Sequence, residues 1–323
     1  MTRTATTSLI MISTLLSMFT SGASAATPLS KWSPPIFIGS KGSSSTQVDY
    51  SVSCPSSAFC VSVNGDGQVL YRRSGVWSSP QSLSLGGSID AVSCSSKTFC
   101  VAVAAGKAAM YNGHVWSSAV PMGPAGDGYK VSCPTSTFCA AVGANEVAGK
   151  LSALVTYNGH LWKSYKTTST GAINDRLLSV SCSTPQFCVA TNFDGQILAF
   201  SAKKWTPSHG PGPKSLISVS CTAAKFCMAV TITGESTTFH NGNWSPPQLI
   251  PAFGSAGAYS VSCVSAVECS VIGLSGAVTT WVAGRWSSPS TLFRGGYAAG
   301  VAISCSVGNH CVAVNDRGMS ASR

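Results

Sequence analysis

Ser51-Val52-Ser53-Cys54-Pro55-Ser56-Ser57-Ala58-Phe59-Cys60-Val61-Ser62-Val63 decides how the rest of the chain is read, because its frame, two cysteines with five residues between them, occurs seven times. The pairs are Cys54 and Cys60, Cys94 and Cys100, Cys133 and Cys139, Cys182 and Cys188, Cys221 and Cys227, Cys263 and Cys269, and Cys305 and Cys311. They account for all fourteen cysteines. Successive first cysteines lie 40, 39, 49, 39, 42 and 42 residues apart, which describes a tandem array with an insertion in its third unit.

Within the first unit the local chemistry is that of short strands. Ser51 to Cys54 is small and β-branched, Pro55 to Ala58 is a turn, and Phe59 to Val63 alternates as a second strand. Asn64-Gly65-Asp66-Gly67 has the residues of a hairpin turn, Gln68 to Tyr71 resumes an extended pattern, and Ser74-Gly75 turns the chain into Val76-Trp77-Ser78. Four short strands in about 40 residues describe a propeller blade, whereas a helical repeat needs an apolar spacing of three to four that is absent. The aromatics before the last turn (Tyr111, Tyr157, Phe200, Phe239, Trp281) and the fourth-strand tryptophans (Trp116, Trp162, Trp205, Trp244, Trp286) hold the same offsets and are expected to fill the gaps between blades toward the rim. A serine precedes the first cysteine in every unit, as expected where innermost strands crowd the axis.

The last unit stops at its third strand, Met319-Ser320-Ala321, with no tryptophan strand of its own. Lys31-Trp32-Ser33-Pro34-Pro35 matches the fourth strand Asn243-Trp244-Ser245-Pro246-Pro247 and has no first three strands before it. The N-terminal strand is therefore expected to complete the last blade and remove the open sheet edges. The fold expected is all-β: a seven-bladed propeller of four-stranded antiparallel blades, one disulfide per blade, spanning residues 26 to 323.

Over residues 31 to 323 the chain resembles secreted bacterial seven-bladed β-propellers, of an actinobacterial type, built from Ser-Cys-x5-Phe-Cys repeats. Its third-to-fourth strand turns, such as Tyr111-Asn112-Gly113-His114-Val115-Trp116, also resemble degenerate Asp-box turns of sialidase-type propellers, with Asn112, Asn158 and Asn241 where the box has aspartate. The likeness supports the fold, and with the aspartate of the box missing it implies no glycosidase activity.

Residues 1 to 25 read as a cleaved signal peptide: Arg3, an apolar run from Leu9 to Phe19, then Ala23-Ser24-Ala25. No later apolar run is long enough to cross a membrane as a helix. Export and an even cysteine number imply disulfides, hence a secreted, extracellular protein, and a monomer is expected. A zinc reading is disfavoured, since structural zinc takes four ligands and each blade has two thiols. The net charge is +10, but charged residues are only 9% of the chain and the cations are scattered, which excludes a nucleic-acid or membrane patch.

Asn64-x-Asp66-Gly67, Asn192-x-Asp194-Gly195 and Asn315-Asp316-x-Gly318 resemble fragments of a calcium loop without its further carboxylates, and hairpin turns explain the same letters. Neither a G-x-S-x-G elbow nor an assignable catalytic triad is present, so no catalytic residue, metal or cofactor is assigned. An asymmetry is more informative. In a four-stranded blade the second-to-third turns and the crossovers share one face. Nine of the ten acidic residues fall there, with Glu268 the exception. Variable loops on a rigid scaffold carry binding function. The expected ligand-binding set is Asp49, Tyr50, Asp90, Asp127, Tyr129, Asp175, Arg176, Phe253, Tyr259, Arg294 and Tyr297, with carbohydrate as ligand, aromatic rings stacking on sugar faces and polar groups bonding hydroxyls. The alternatives are a hydrolase or lyase whose carboxylates Asp49, Asp90, Asp127 and Asp175 meet over the axis, and a scaffold for protein partners.

Peptide mapping without reduction is expected to recover Cys54 with Cys60 and every other pair likewise within its own hairpin, with no bridge between units. Each closed loop contributes roughly 2 kcal/mol by chain entropy.

Overall fold

The computed structural model describes residues 1, 31–39, 50–124, 126, 128–144, 152–165, 176–208, 215–223, 226–294 and 302–323. The expected signal peptide lies outside them. Seven antiparallel sheets are arranged as the blades of a propeller. In blade 1 the strands run Tyr50–Ser56, Phe59–Asn64, Gln68–Arg73 and Val76–Trp77 from axis to rim. The inner strands of blades 2 to 7 are Ala91–Ser96, Lys130–Thr135, Leu177–Thr184, Leu216–Ala223, Ala258–Ser265 and Ala302–Ser306. In blades 1, 5 and 6 the rim strand is split, with a second short segment such as Gln81–Ser82 pairing back on the third strand. Prolines sit between the two pieces (Pro80, Pro246, Pro247, Pro289), and an edge strand is where a residue without an N–H is tolerated.

Closure is made by the N-terminal segment. Ile36 and Phe37 pair with Ser320 and Met319, the Ser33 N–H donates to the Ser322 carbonyl at 2.7 Å, and the Ser322 N–H donates to Ser33 Oγ at 3.0 Å. The same reciprocal pair recurs at Ser78 with Tyr71, Ser117 with Met110, Ser245 with Thr238 and Ser287 with Thr280. A serine after the rim tryptophan thus supplies, with its own N–H and hydroxyl, both a donor and an acceptor to the third strand where the rim strand leaves the ladder.

All seven expected disulfides are formed, each within its own hairpin. Cys54 is bonded to Cys60, Cys94 to Cys100, Cys133 to Cys139, Cys182 to Cys188, Cys221 to Cys227, Cys263 to Cys269 and Cys305 to Cys311. The two cysteines of a pair are not equally placed. Cys60, Cys100, Cys139, Cys188, Cys227, Cys269 and Cys311 on the second strands are wholly buried, while the first cysteines keep a small exposure toward the axis. None of these second cysteines is a ligand-facing group, so the bridges serve the scaffold.

The serine before each first cysteine does more than fit a crowded axis. Its Oγ accepts the backbone N–H of the first cysteine in the next blade: Ser53 from Cys94, Ser93 from Cys133, Ser132 from Cys182, Ser181 from Cys221, Ser220 from Cys263, Ser262 from Cys305, and Ser304 from Cys54, all at 2.8 to 3.0 Å. The belt is closed, and the last bond joins blade 7 to blade 1.

The apolar core is divided among the seven blade junctions, each with its own buried cluster among the described residues. At five junctions the phenylalanine before the second cysteine packs toward the third-strand aromatic of the next blade. Phe59 faces Tyr111 at 6.5 Å between ring centroids, Phe138 faces Phe200 at 5.6 Å, Phe187 faces Phe239 at 5.9 Å and Phe226 faces Trp281 at 5.7 Å. Phe99 packs against the cluster that holds Tyr157.

The two junctions flanking the closing blade differ. Glu268 and His310 replace the phenylalanine, and Arg323 and Arg72 occupy the aromatic register opposite the second cysteines Cys311 and Cys60. Arg323 Nη2 lies 3.4 Å from Glu268 Oε1, and Arg72 Nη1 donates to His310 Nε2 at 2.9 Å. Arg72 also donates to Ser322 Oγ at 3.2 Å.

Only the neutral imidazole can accept from Arg72, and burial together with the Arg72 guanidinium holds His310 below the usual histidine value, partly offset by a hydrogen bond to the Arg323 backbone. As pH falls through about 6.5 the unfolded chain takes a proton that the folded chain refuses, so folding stability falls. Glu268 works with the opposite sign: burial pushes its carboxyl up against the pull of Arg323, so its cost is present at neutral pH and relieved in acid. Urea unfolding at pH 7.0 and pH 5.5 should show a lower midpoint at the acid value, and His310→Gln, which still accepts from Arg72 but does not titrate, should flatten that dependence.

Candidate functional site

The inner strands begin at the face that carries the crossovers and the second-to-third strand turns, and their first residues surround the axis. They enclose a cavity of ≈ 360 Å³ to which every blade contributes, from Ser51 of blade 1 to Ala302 and Ile303 of blade 7. Its wall combines Val52, Val92, Val131, Val180 and Ile303 with a ring three residues before each first cysteine: Ser51, Ala91, Lys130, Ser179, Ser218, Ser260 and Ala302. The four serines of this ring bridge blades. Ser51 accepts from the N–H of Val92 at 3.3 Å, Ser179 from Val219 at 3.1 Å, Ser218 from Val261 at 3.2 Å and Ser260 from Ile303 at 3.3 Å. A hydroxyl that accepts one backbone N–H keeps its own proton to donate.

Above that ring the rim of the cavity is formed by Asp90, Leu178, Ile217 and Tyr259. The last three reach it through a register irregularity. In blades 4, 5 and 6 the ladder skips from Leu177 to Ser179, from Leu216 to Ser218 and from Ala258 to Ser260, leaving Leu178, Ile217 and Tyr259 as the unpaired residues. A bulge re-aims its extra side chain, and here all three line the axial opening. Asp90 and Lys130, from adjacent blades, bring opposite charges to the same cavity.

The expected ligand set divides. Asp90 and Tyr259 are half-buried on the cavity rim, and Tyr50 starts the inner strand of blade 1 opposite Asn64. Arg176 and Arg294 are exposed and do not line the cavity. Asp49, Asp127, Asp175 and Tyr297 lie outside the described residues. Tyr129 and Phe253 are turned inward, at 0% and 4% exposure. Each lies across a second-strand glycine: a Cβ on Gly143 would come within 2.9 Å of the Tyr129 ring, and one on Gly273 within 2.7 Å of Phe253. The Tyr129 hydroxyl donates to the Pro124 carbonyl at 2.7 Å, its N–H donates to Asp90 Oδ2 at 3.2 Å, and burial with the nearby Asp90 charge pushes its phenol up to about 12. Both rings pack crossovers down instead of facing a ligand. Phe293, which follows the rim strand of blade 6, is likewise buried.

Lys130, Leu178, Ile217 and the serine ring were not in the expected set. For the serines the signal was present, a second serine two residues before the belt serine in four of the units, but the bulges leave no mark in composition or periodicity. The Asn-rich turns also resolve. Asn64 Oδ1 accepts the N–H groups of Asp66 and Gln68, Asn192 Oδ1 accepts that of Gln196, and Asn315 Oδ1 accepts those of Arg317 and Met319, so these oxygens hold hairpins together. Asn112 does the same for the N–H groups of His114 and Val115.

The molecule is thus a seven-bladed β-propeller with a disulfide in the inner hairpin of every blade and an axial cavity open at the crossover face. Solved structures share the fold. It is similar to virginiamycin B lyase from Staphylococcus aureus, with a TM-score of 0.71, 10% identity and coverage of 90% of this chain and 98% of that one. It is similar to YCF48 bound to D1 peptide, at 0.64 and 14% over 92% and 96%, and to U3-55K, at 0.71 and 8% over 90% and 98%. No protein-family model matches the chain, and no curated protein matches it in sequence.

Tyr129→Ala should behave as a core truncation, costing about 3 to 5 kcal/mol in urea unfolding, whereas Tyr259→Ala, half-buried and packed in part against the cluster between blades 6 and 7, should cost about 1 to 2 kcal/mol. Equal costs would mean that the Tyr259 ring is as deeply committed to packing as that of Tyr129.

Proposed function

We propose that this protein is an extracellular binding or scaffold module whose axial cavity takes a carbohydrate, the terminal sugar of an envelope or extracellular polysaccharide. The observation that carries the reading is the composition of that cavity: a ring of serine hydroxyls with protons left to donate, one tyrosine on a bulge, and one carboxylate and one ammonium on neighbouring blades, in ≈ 360 Å³. A sugar presents many hydroxyls of both hydrogen-bonding senses and one or two apolar faces. Tyr259 with Ile217 and Leu178 offers a surface for such a face, while Asp90 accepts and Lys130 and the serines donate. Seven hairpin disulfides suit an oxidising compartment outside the cell, where such polymers are met. A single site of this size binds weakly, so attachment to a repeating polymer would act through many sites.

The test is a screen of oligosaccharides and polysaccharides against the disulfide-intact protein, followed by titration calorimetry on the best ligand. Tyr259→Ala and Asp90→Asn should each weaken binding at least about tenfold, or 1.4 kcal/mol, and Arg294→Ala should leave it unchanged. Binding that survives both rim changes removes the axial cavity from the argument. Turnover of the bound polymer replaces the reading with an enzymatic one, and capture of a protein alone replaces it with a protein scaffold.

A further inference from the structure

The opposite face carries a second cavity with different chemistry. It lies at the junction of blades 3 and 4, has a volume of ≈ 530 Å³, and is walled by Phe138, Phe200 and Tyr165 with Lys163 and Lys203 among its lining residues. Phe138 and Phe200 pack with centroids 5.6 Å apart, and Tyr165 meets Phe200 edge-on at 6.3 Å. The buried Thr156 donates to the Tyr165 hydroxyl at 3.3 Å, which leaves the phenolic proton to donate elsewhere. Lys163 and Lys203 are exposed, with the Lys163 ammonium 5.3 Å from the Tyr165 ring centroid and Lys203 on a left-handed turn residue at φ 63°.

The sequence explains why this junction is open. The serine that follows the rim tryptophan in five other blades is replaced here by Lys163, and the strand runs on through Ser164 to Tyr165, whose N–H donates to the Leu154 carbonyl at 2.8 Å. A cation and an aromatic ring therefore stand where four other blades put a serine and a proline. The electrostatics are one-sided. Among the described residues, Asp66, Asp90, Asp194, Glu235 and Asp316 belong to the turns and crossovers of the other face, and Glu268 is held by Arg323 between blades 6 and 7. No carboxylate among the described residues lines this cavity to balance its two ammonium groups.

We propose that the cleft between blades 3 and 4 binds a small aromatic carboxylate, its ring laid against Phe138, Phe200 and Tyr165 and its carboxylate held between Lys163 and Lys203. The volume lies within the usual range for small-molecule sites, and an apolar wall with a few convergent polar groups is their usual composition. The site is separate from the axial cavity, sharing no lining residue with it, so it stands whether or not the axial cavity binds sugar.

The experiment is calorimetric titration of the full chain with 2-naphthoate and with uncharged 2-naphthamide, which has the same ring. At about 0.3 kcal/mol per heavy atom, 2-naphthoate should bind with a dissociation constant at or below roughly 1 mM. The amide should bind at least about tenfold more weakly. The double substitution Lys163→Gln, Lys203→Gln changes exposed side chains only and should bring the acid down to the affinity of the amide, while Lys97→Gln elsewhere on the surface should change nothing. Equal binding of acid and amide, affinity unaffected by the double substitution, or no binding of 2-naphthoate at about 10 mM, where a site of this composition would be filled, each overturns the proposal.

Discussion

A closed belt of seven hydrogen bonds from cysteine N–H to serine Oγ holds the axis of this molecule, and the other layers depend on it. Inner strands of neighbouring blades converge there without pairing as a sheet, so their backbone N–H groups need another acceptor. A serine is short enough to reach across. Each such bond is worth only about 1 kcal/mol net, but an unmet buried N–H would cost more than the bond gains. The disulfide beside every serine fixes the hairpin so that the hydroxyl meets the next amide at nearly the same distance all the way round. This explains why a region with few large side chains needs a covalent staple in each blade.

Radially, the supports change with the space available. Hydroxyls serve at the axis, disulfides one step out with second cysteines wholly buried, aliphatic clusters between the middle strands, and aromatic pairs toward the rim. The closing blade departs from this order. Its two junctions use Glu268 with Arg323 and Arg72 with His310 where five others use aromatic rings. A buried ion pair such as Glu268 with Arg323 is weak evidence for stability, since desolvation offsets most of its attraction, but the directionality of both arginine contacts suits a blade assembled from both ends of the array. A ring stack tolerates sliding, and an arginine with named acceptors does not.

The two faces carry different chemistry because the blade topology sorts the loops. Carboxylates sit in crossovers and second-to-third strand turns, and the axial cavity opens among them with hydroxyls and a bulged tyrosine. The other face is made of tight turns capped by asparagine and glycine, interrupted at blades 3 and 4 by a cleft of aromatic and cationic side chains. Two cavities of different chemistry therefore lie on opposite faces of one ring.

The repeat, blade number, disulfide pairing and closure by the segment around Trp32 were legible in the sequence, because each rests on local spacing: cysteines closing a two-strand hairpin, tryptophan and glycine at fixed offsets, and a strand missing at one end and present at the other. The candidate site was legible only in part. Asp90 and Tyr259 lie where the crossover argument put them, but Tyr129 and Phe253, equally unexplained by the repeat, are buried against Gly143 and Gly273. Whether a loop aromatic faces outward or folds down depends on a glycine in a neighbouring strand. Likewise, Leu178, Ile217 and Tyr259 reach the axis through bulges set by how the inner strand meets its partner. Periodicity records which residues alternate along a strand. Only the packed ring decides which of them slip out of register, and those residues line the opening.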